Sequence, residues 1–398
     1  MRTAIVGGGA AGFFLAVNLK EMCPQMEVCI FEKSQKVLAK VEVSGGGRCN
    51  CTNSFAAVTD LQQVYPRGHR LLKRLFNGFG PRDAYEWFER HGVPLVTQSD
   101  NCVFPKAQDA HAIIDCFLTM ARRQGVTIKP HANVSSLEAL KDFNFVCVTT
   151  GGQPRLAGLQ WLADLGHEII PPVPSLFTFN VKDKALQNLM GTVVENATAF
   201  IPATHYRASG PLLITHWGMS GPAILKLSSH AARHLSDCRY ESPLAVNWLS
   251  MRDADVVEAL QAIAISNPQK KVTTIRPFDL PSRLWDYLLE KTLGNHASCR
   301  WSELGKKELN RLANALCNDS YDISGRAVFK DEFVTCGGVS LQSVNPSTLE
   351  SRHVPNLFFA GEILDIDGIT GGFNFQAAWT TAYTVAKSIC EKCLKNYF

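Results

Sequence analysis

The chain has no apolar run approaching the ~20 residues that a membrane-spanning helix needs, so it reads as a soluble protein without a membrane partner. Neither sign of charge dominates. Forty Lys and Arg stand against 36 Asp and Glu, and the net charge of +4 is too small to mark a nucleic-acid binder by itself. Charged residues are only 19% against 46% hydrophobic, which excludes a disordered chain and predicts a large core. No repeat or low-complexity tract interrupts the 398 residues, a length for two or three domains. Thirteen cysteines are too sparse and too irregular for a disulfide scaffold. Cys49 and Cys51 form C-x-C, and Cys390 and Cys393 form C-x-x-C, but no second pair stands at zinc spacing. The cysteines therefore read as reduced thiols of a cytoplasmic protein, and no metal is expected. Met1 to Val6 enters a glycine loop at once, unlike a signal peptide.

What is present is concentrated at the two ends. Thr3 to Val6 has the pattern of a buried strand. Gly7-Gly8-Gly9-Ala10-Ala11-Gly12 follows, then an apolar-periodic helix over Phe13–Glu21 and a second strand over Glu27–Glu32. This is one βαβ unit carrying G-x-G-x-x-G. Gly7 permits the tight turn, Gly9 lets a pyrophosphate approach the backbone, and Gly12 lets the helix pack close to the sheet. The helix N-terminus offers unpaired N–H groups and a positive dipole end to phosphates. Glu32 lies about 20 residues past Gly12, where a carboxylate accepts hydrogen bonds from ribose hydroxyls.

Two further segments point beyond a simple nicotinamide site. Val146–Gly152 is an apolar strand ending in Thr-Gly, and Leu357–Glu362 is another ending in Gly-acidic. The second leads into Gly368–Ala378 and an apolar helix to about Cys393. The layout resembles flavoproteins whose last strand sets a carboxylate on the ribityl chain and whose last helix aims its N-terminus at the flavin C2 carbonyl and N1. A positive helix end there stabilises the charge of the reduced flavin. No second complete G-x-G-x-x-G exists, so NADPH or NADH is expected only as a transient reductant.

The middle reads as strands (Leu176–Val181, Thr192–Ile201, Leu244–Trp248) and then helices (Arg252–Ile265, Ser282–Leu293, Ser302–Leu316). Ser220 is read as the N-cap of a helix running to about His234. The expected fold is α/β: a Rossmann-like FAD-binding domain, 1–174 and 336–398, split by an inserted lobe of mixed β and helical structure, 175–335, for substrate.

Several blocks together resemble the BaiN/RdsA (YhiN-like) family of NAD(P)/FAD-dependent oxidoreductases. They are Ile5–Gly12, Lys40–Asn53 with Ser44-Gly45-Gly46-Gly47-Arg48-Cys49-Asn50, Thr215–Pro222, Thr335–Val344 and Pro355–Trp379. They occur in order over nearly the whole chain. Two departures stand out: Gly152 passes directly to Gln153-Pro154-Arg155 where the family has a longer glycine-rich loop, and Cys51 replaces a common apolar residue. The resemblance implies bound FAD and hydride addition to an activated alkene. Its substrate is either a uracil of large-subunit ribosomal RNA or a small-molecule enone such as a steroid. A flavin-containing RNA-binding or assembly factor with a structural FAD is the competing class.

The cofactor residues so implied begin with Gly7, Gly9, Ala10, Ala11 and Gly12, then Glu32, Lys33 and Lys40. Gly46, Gly47, Arg48, Cys49 and Asn50 form a second group, and Val134, Thr150 and Gly151 a third. Gly361, Glu362, Gly371, Gly372, Phe373 and Asn374 complete the set. Arg48 is read as pairing with pyrophosphate or flavin carbonyls. Asn50 and Asn53 either hydrogen-bond the flavin rim or hold the turn. Cys49 is either the proton donor for alkene reduction or a small residue packed under the flavin. His216 is either a second acid or a structural histidine. Arg67, Arg70, Lys73, Arg74 and Lys106 make a basic stretch, suited to RNA phosphates or to a solvated face.

Overall fold

The computed structural model describes residues 1–327 and 334–395. The chain forms two units, Met1–Val173 with Val334–Phe398, and Pro174–Phe333. Val334 and Thr335 go with the first unit rather than with a lobe ending at 335, because strand Val334–Val339 pairs with Ile169–Ser175. The stretch through which the lobe returns, 328–333, lies outside the described residues.

The first unit is organised by a five-stranded parallel sheet. Its strands are β1 (Arg2–Val6), β2 (Glu27–Phe31), β3 (Thr127–Lys129), β4 (Phe145–Val148) and β5 (Leu357–Phe359). Their order is β5-β4-β1-β2-β3. Four of the five residues of β1 are buried, as a parallel strand covered on both faces requires. The chain runs from β1 outward through β2 and β3 and then returns to the other side of β1 as β4. The sheet therefore changes direction between β1 and β4. Open α/β sheets bind ligands beyond the carboxyl ends of their strands at such a point. Gly7 follows β1 there, and Thr149 to Gly151 follow β4.

Helix α1 (Ala10–Met22) and the C-terminal helix (Phe373–Lys395) pack on this sheet around one aromatic cluster. The Phe14 ring lies 5.1 Å from Trp379 and 4.6 Å from Trp87. Both indole N–H groups are satisfied: Trp379 donates to Cys51 O at 2.8 Å and Trp87 to Asn18 Oδ1 at 3.1 Å. Such pairing keeps large polar-tipped rings in a core without an orphaned donor.

The second unit holds a closed barrel, in the order 193–200, 207–215, 218–220, 179–181, 319–326 and 241–247. Strand Asp319–Arg326, hidden in sequence by its polar residues, closes it by pairing with both Glu241–Asn247 and Phe179–Val181. Helices Asp253–Ser266, Ser282–Leu293 and Lys306–Cys317 follow the expected pattern. Ser220 is not a helix cap. It ends strand Gly218–Ser220, and Gly221, at φ 90°, precedes helix Pro222–His230. A Cβ at Gly221 would stand 2.8 Å from Pro211 O, so the close approach of the hairpin sets the helix start. That helix stops at His230, and a separate one covers Ala232–Asp237.

Candidate cofactor and active site

The glycine loop has two kinds of glycine. Gly7 adopts φ +114°, and its Cβ would lie 2.5 Å from Thr149 O; a Cβ on Gly12 would lie 2.0 Å from Gly7 O. These two are demanded by the protein itself. Gly9 has an ordinary φ of −92°, and a Cβ there would meet no protein atom within 4 Å. Gly9 precedes α1, whose first turn carries neither an acidic residue nor a side-chain cap. Its leading N–H groups are thus left for a ligand. Ala10 and Ala11 form this first turn, and Ala11 packs where a Cβ on Gly361 would come within 2.9 Å.

Glu32 closes the far side. Its Oε2 accepts from Gly8 N at 2.9 Å, and its Oε1 accepts from Ser34 N and Oγ, both at 2.8 Å. The carboxylate is thereby held in place at the end of β2 with lone pairs to spare for ribose hydroxyls. Ala132 N donates to Glu32 O at 2.8 Å, which brings the segment bearing Val134 alongside; Val134 packs against the core, and Lys33 is exposed.

Gly45, Gly46 and Gly47 all have positive φ, and so does Cys49 at 59°. A Cβ on the exposed Gly46 would meet nothing within 4 Å. Arg48 turns back on its own loop. Its Nε donates to Gly45 O at 3.2 Å, its Nη1 to Gln108 Oε1 at 3.3 Å, and its guanidinium lies 4.4 Å from the Phe104 ring centroid. Cys49 is 0% exposed, and burial pushes its thiol up to about 12 against the opposing hydrogen bond from Ser44. With its amide turned so that the nitrogen faces acceptors and the oxygen a donor, Asn50 donates to Thr52 O (2.9 Å) and Val103 O (3.2 Å) and accepts from Gly372 N at 3.2 Å. Asn53 donates to Gly371 O at 3.0 Å and accepts from Phe55 N at 2.9 Å. Both asparagines therefore hold the turn and latch it to the 371–372 loop.

That loop leads into the C-terminal helix. A Cβ on Gly372 would sit 2.2 Å from Thr52 O, so only glycine permits the approach. Tyr65 donates to Phe373 O at 2.8 Å, and the Asn374 amide exchanges two 2.8 Å bonds with Gly368 N and O. The Asn374 side chain thus ties down the loop. The helix has no acidic residue in its first turn, and the first described intrahelical donor is Gln376 N to Gly372 O at 3.0 Å. Beside it, Glu362 pairs with Lys40 Nζ at 2.9 Å and accepts from Thr335 N at 2.9 Å. Burial alone would raise this carboxyl, but Lys40 and the backbone donors at Thr335 and Gly152 overcome it and hold it below the usual glutamate value. Gly151, at φ +71°, follows the half-buried Thr150 and stands against Glu362, 3.7 Å from Oε2 as a Cβ would measure it.

Several residues here escaped sequence reasoning. Thr149 donates to Gly7 O at 2.9 Å, and Gln376 accepts from Thr52 Oγ1 at 2.5 Å. Arg67 belongs to no solvated basic face: it is ion-paired with Asp367, whose side chain is 0% exposed, and the two residues also form a backbone bridge. The sequence signal for this pair was its position, beside two glycines at Gly68 and Gly368. His216 lies in the second unit, exposed on the turn between strands 207–215 and 218–220, with its ring 4.1 Å from that of Trp217.

The open backbone at Gly9, the start of α1 without a side-chain cap and the carboxylate fixed at the end of β2 fit a flavin dinucleotide. Gly9, Ala10 and Ala11 would hold its pyrophosphate, Glu32 its ribose, and the loop from Gly371 to Phe373 its ring. The fold and this site define an FAD-dependent oxidoreductase on a Rossmann framework. The chain belongs to the HI0933-like family, whose Rossmann-domain model matches residues 1–388. It is 28% identical over 413 residues to a ribosomal RNA dihydrouridine synthase of Haemophilus influenzae, covering 98% of each chain. It is 27% identical over 417 residues to a 3-dehydro-bile acid delta(4,6)-reductase of Clostridium scindens, covering 98% of this chain and 99% of the relative. The ribosomal RNA dihydrouridine synthase of Escherichia coli is 26% identical over 409 residues, with 97% of each chain covered. Among the described residues no helix is long and apolar enough to cross a membrane.

Proposed function

We propose that this protein reduces the activated carbon–carbon double bond of a uracil in large-subunit ribosomal RNA, with NADPH or NADH as reductant and in the cytoplasm. The relatives' names describe two reductions of a carbon–carbon double bond, one in RNA and one in a bile acid. The observation that favours RNA is a basic face beside the ring-binding loop. Arg70, Lys73 and Arg74 are exposed on helix His69–Leu75, and among the described residues none of them forms an ion pair. Arg67, just before this helix, is fixed to Asp367 at the start of the 368–374 loop. Unpaired cations so placed suit a phosphate backbone, whereas a bile acid offers a single anionic group.

Hydride supply is the chemistry that bound FAD adds to this site. The chain's own tasks are to bind, orient and exclude water. Gly9 and the start of α1 receive the pyrophosphate, Glu32 the ribose, and the latch between 50–53 and 371–372 fixes the start of the C-terminal helix. Lys40 keeps Glu362 ionised there. Cys49 is a packing residue: it has no exposure, and a thiol at about 12 is a poor acid near neutral pH.

The test offers the reduced holoprotein, without oxygen, an unmodified ribosomal RNA fragment or a 3-oxo-4,6-diene steroid. Flavin reoxidation by RNA, with a gain of two hydrogens on one uridine, is the expected result. Reoxidation by the steroid alone would replace the RNA reading with the small-molecule one. A flavin that NADPH fails to bleach would make the cofactor structural.

A further inference from the structure

The site makes no use of a group of thiols at the opposite ends of its two helices. Cys23 is the residue that ends α1, and Cys390 and Cys393 lie in the last turns of the C-terminal helix. The Sγ atoms of Cys23 and Cys390 are 2.6 Å apart, closer than two non-bonded sulfurs rest. Cys390 Sγ also faces Met22 O at 3.6 Å, and Cys393 Sγ lies 3.5 Å from Met1 Sδ. Cys23 and Cys390 are partly exposed, while Cys393 is buried. No group of His, Cys, Asp or Glu among the described residues is arranged to hold a metal ion, so coordination does not account for the convergence.

We propose that Cys23 and Cys390 form a reversible disulfide that staples α1 to the C-terminal helix, with a hydroperoxide as the oxidant. The sulfur of Cys390 attacks a peroxide oxygen. An S–O bond forms, the O–O bond breaks, and with hydrogen peroxide the leaving oxygen departs as water. The sulfur of Cys23 then attacks the sulfenic sulfur of Cys390. The S–S bond forms, the S–O bond breaks, and the leaving hydroxide takes the Cys23 proton as a second water. Two thiols thus lose two electrons and two protons, and one peroxide is reduced to two waters. A dithiol reverses the reaction by exchange.

The order of the steps follows from the surroundings. Burial, and then the neighbouring Cys390, push the Cys23 thiol up to about 12, which makes it a slow nucleophile at the outset. Oxidation of Cys390 removes that neighbour's charge and leaves burial and Cys393. The two sulfurs need to close from 2.6 Å to the ~2.0 Å of a disulfide, a shift within side-chain reach. The consequence lies at the other end of the helices. Both present their N-termini to the cofactor, and α1, with 13 residues, is about 20 Å long. A staple at the far end holds the helices together and so retains the flavin, whichever substrate is reduced.

The experiment exposes holoprotein to a slight excess of hydrogen peroxide, alkylates the remaining thiols and digests without reductant. The expected result is loss of two of the 13 thiols and one cross-linked peptide carrying Cys23 and Cys390, with both thiols restored by dithiothreitol. The oxidised protein should also keep its flavin at urea concentrations that strip the reduced protein. Cys23→Ser should abolish the cross-link and leave a sulfenic acid trappable at Cys390; Cys390→Ser should abolish both. If Cys390→Ser does not fold, Cys23→Ser at the partly exposed helix end carries the control. Thirteen thiols surviving peroxide, a cross-link between other cysteines, or oxidation of wild-type Cys390 straight to the sulfonic acid would overturn the proposal.

Discussion

Replacing Gly9 separates what the protein needs from what the cofactor needs. The Gly9 backbone is in an ordinary region, and a Cβ there meets no protein atom within 4 Å. For Gly9→Ala in the flavin-free protein two small terms oppose each other. The stiffer unfolded chain favours the variant by about 0.4–1 kcal/mol, and poorer capping by alanine costs a similar amount. The net change should be near zero. Gly12→Ala is the contrast, because its Cβ would lie 2.0 Å from Gly7 O and 2.8 Å from Thr149 Oγ1. Overpacking of that kind costs about 1–3 kcal/mol or more, with or without cofactor. Urea unfolding of the flavin-free proteins should therefore place Gly9→Ala beside wild type and Gly12→Ala well below it. Added FAD reverses the comparison. At 100-fold over its Kd a ligand stabilises the folded state by about 2.7 kcal/mol, and wild type should gain this while Gly9→Val gains nothing. Quenching of flavin fluorescence measures the same loss directly. Wild-type FAD affinity in Gly9→Val would refute the assignment of that opening to the pyrophosphate.

Lys40→Met should destabilise the protein at neutral pH and move its acid unfolding to higher pH. Glu362 is held below its ordinary value, so its contribution is complete above the usual carboxylate range and is lost as pH falls through the folded value; an unchanged acid limb in the variant would show that Lys40 does not hold the carboxylate. Cys49→Ala should cost about 1–2 kcal/mol of stability for the vacated volume while single-turnover reoxidation per bound flavin stays near wild type; a loss of ~10² or more in that step would restore Cys49 as the acid. Joint replacement of Arg70, Lys73 and Arg74 by alanine should lower the salt slope of RNA binding by about 2, at roughly 0.7 per phosphate contact on single strands, with NADPH bleaching of the flavin unchanged. An unaltered slope would move the RNA surface elsewhere.

The legible parts of the sequence were those where one residue type answers one local demand. Gly7 to Gly12, β1, β2 and Glu32 could be placed because a turn, a parallel strand and a ribose-side carboxylate each require a narrow choice within about 30 residues. Strand Asp319–Arg326 was not legible. Asp, Ser and Arg occupy it, and only closure against two distant strands makes it a strand. Ser220 shows a local rule overruled from afar, since the approach of Pro211 O to Gly221 decides where the helix begins.

The site residues divide along the same line. Arg48 was expected at the cofactor as a cation after three glycines and Asn374 from the family resemblance, yet their side chains are engaged by Gly45, Gln108 and Gly368. Their side chains fix the glycine-rich loops that carry them. The same holds for Asn50 and Asn53, which tie residues near 50 to residues near 372. Glycines with positive φ cannot hold such loops by themselves, because they are the residues that lose most freedom on ordering. Polar side chains lock three of these loops: Thr149 at Gly7, Asn50 at Gly372 and Asn374 at Gly368. Glycine-rich loops are visible in sequence as glycine, but two of their locks are visible only in the fold: Thr149 is brought to Gly7 across 142 positions and Asn50 to Gly372 across 322.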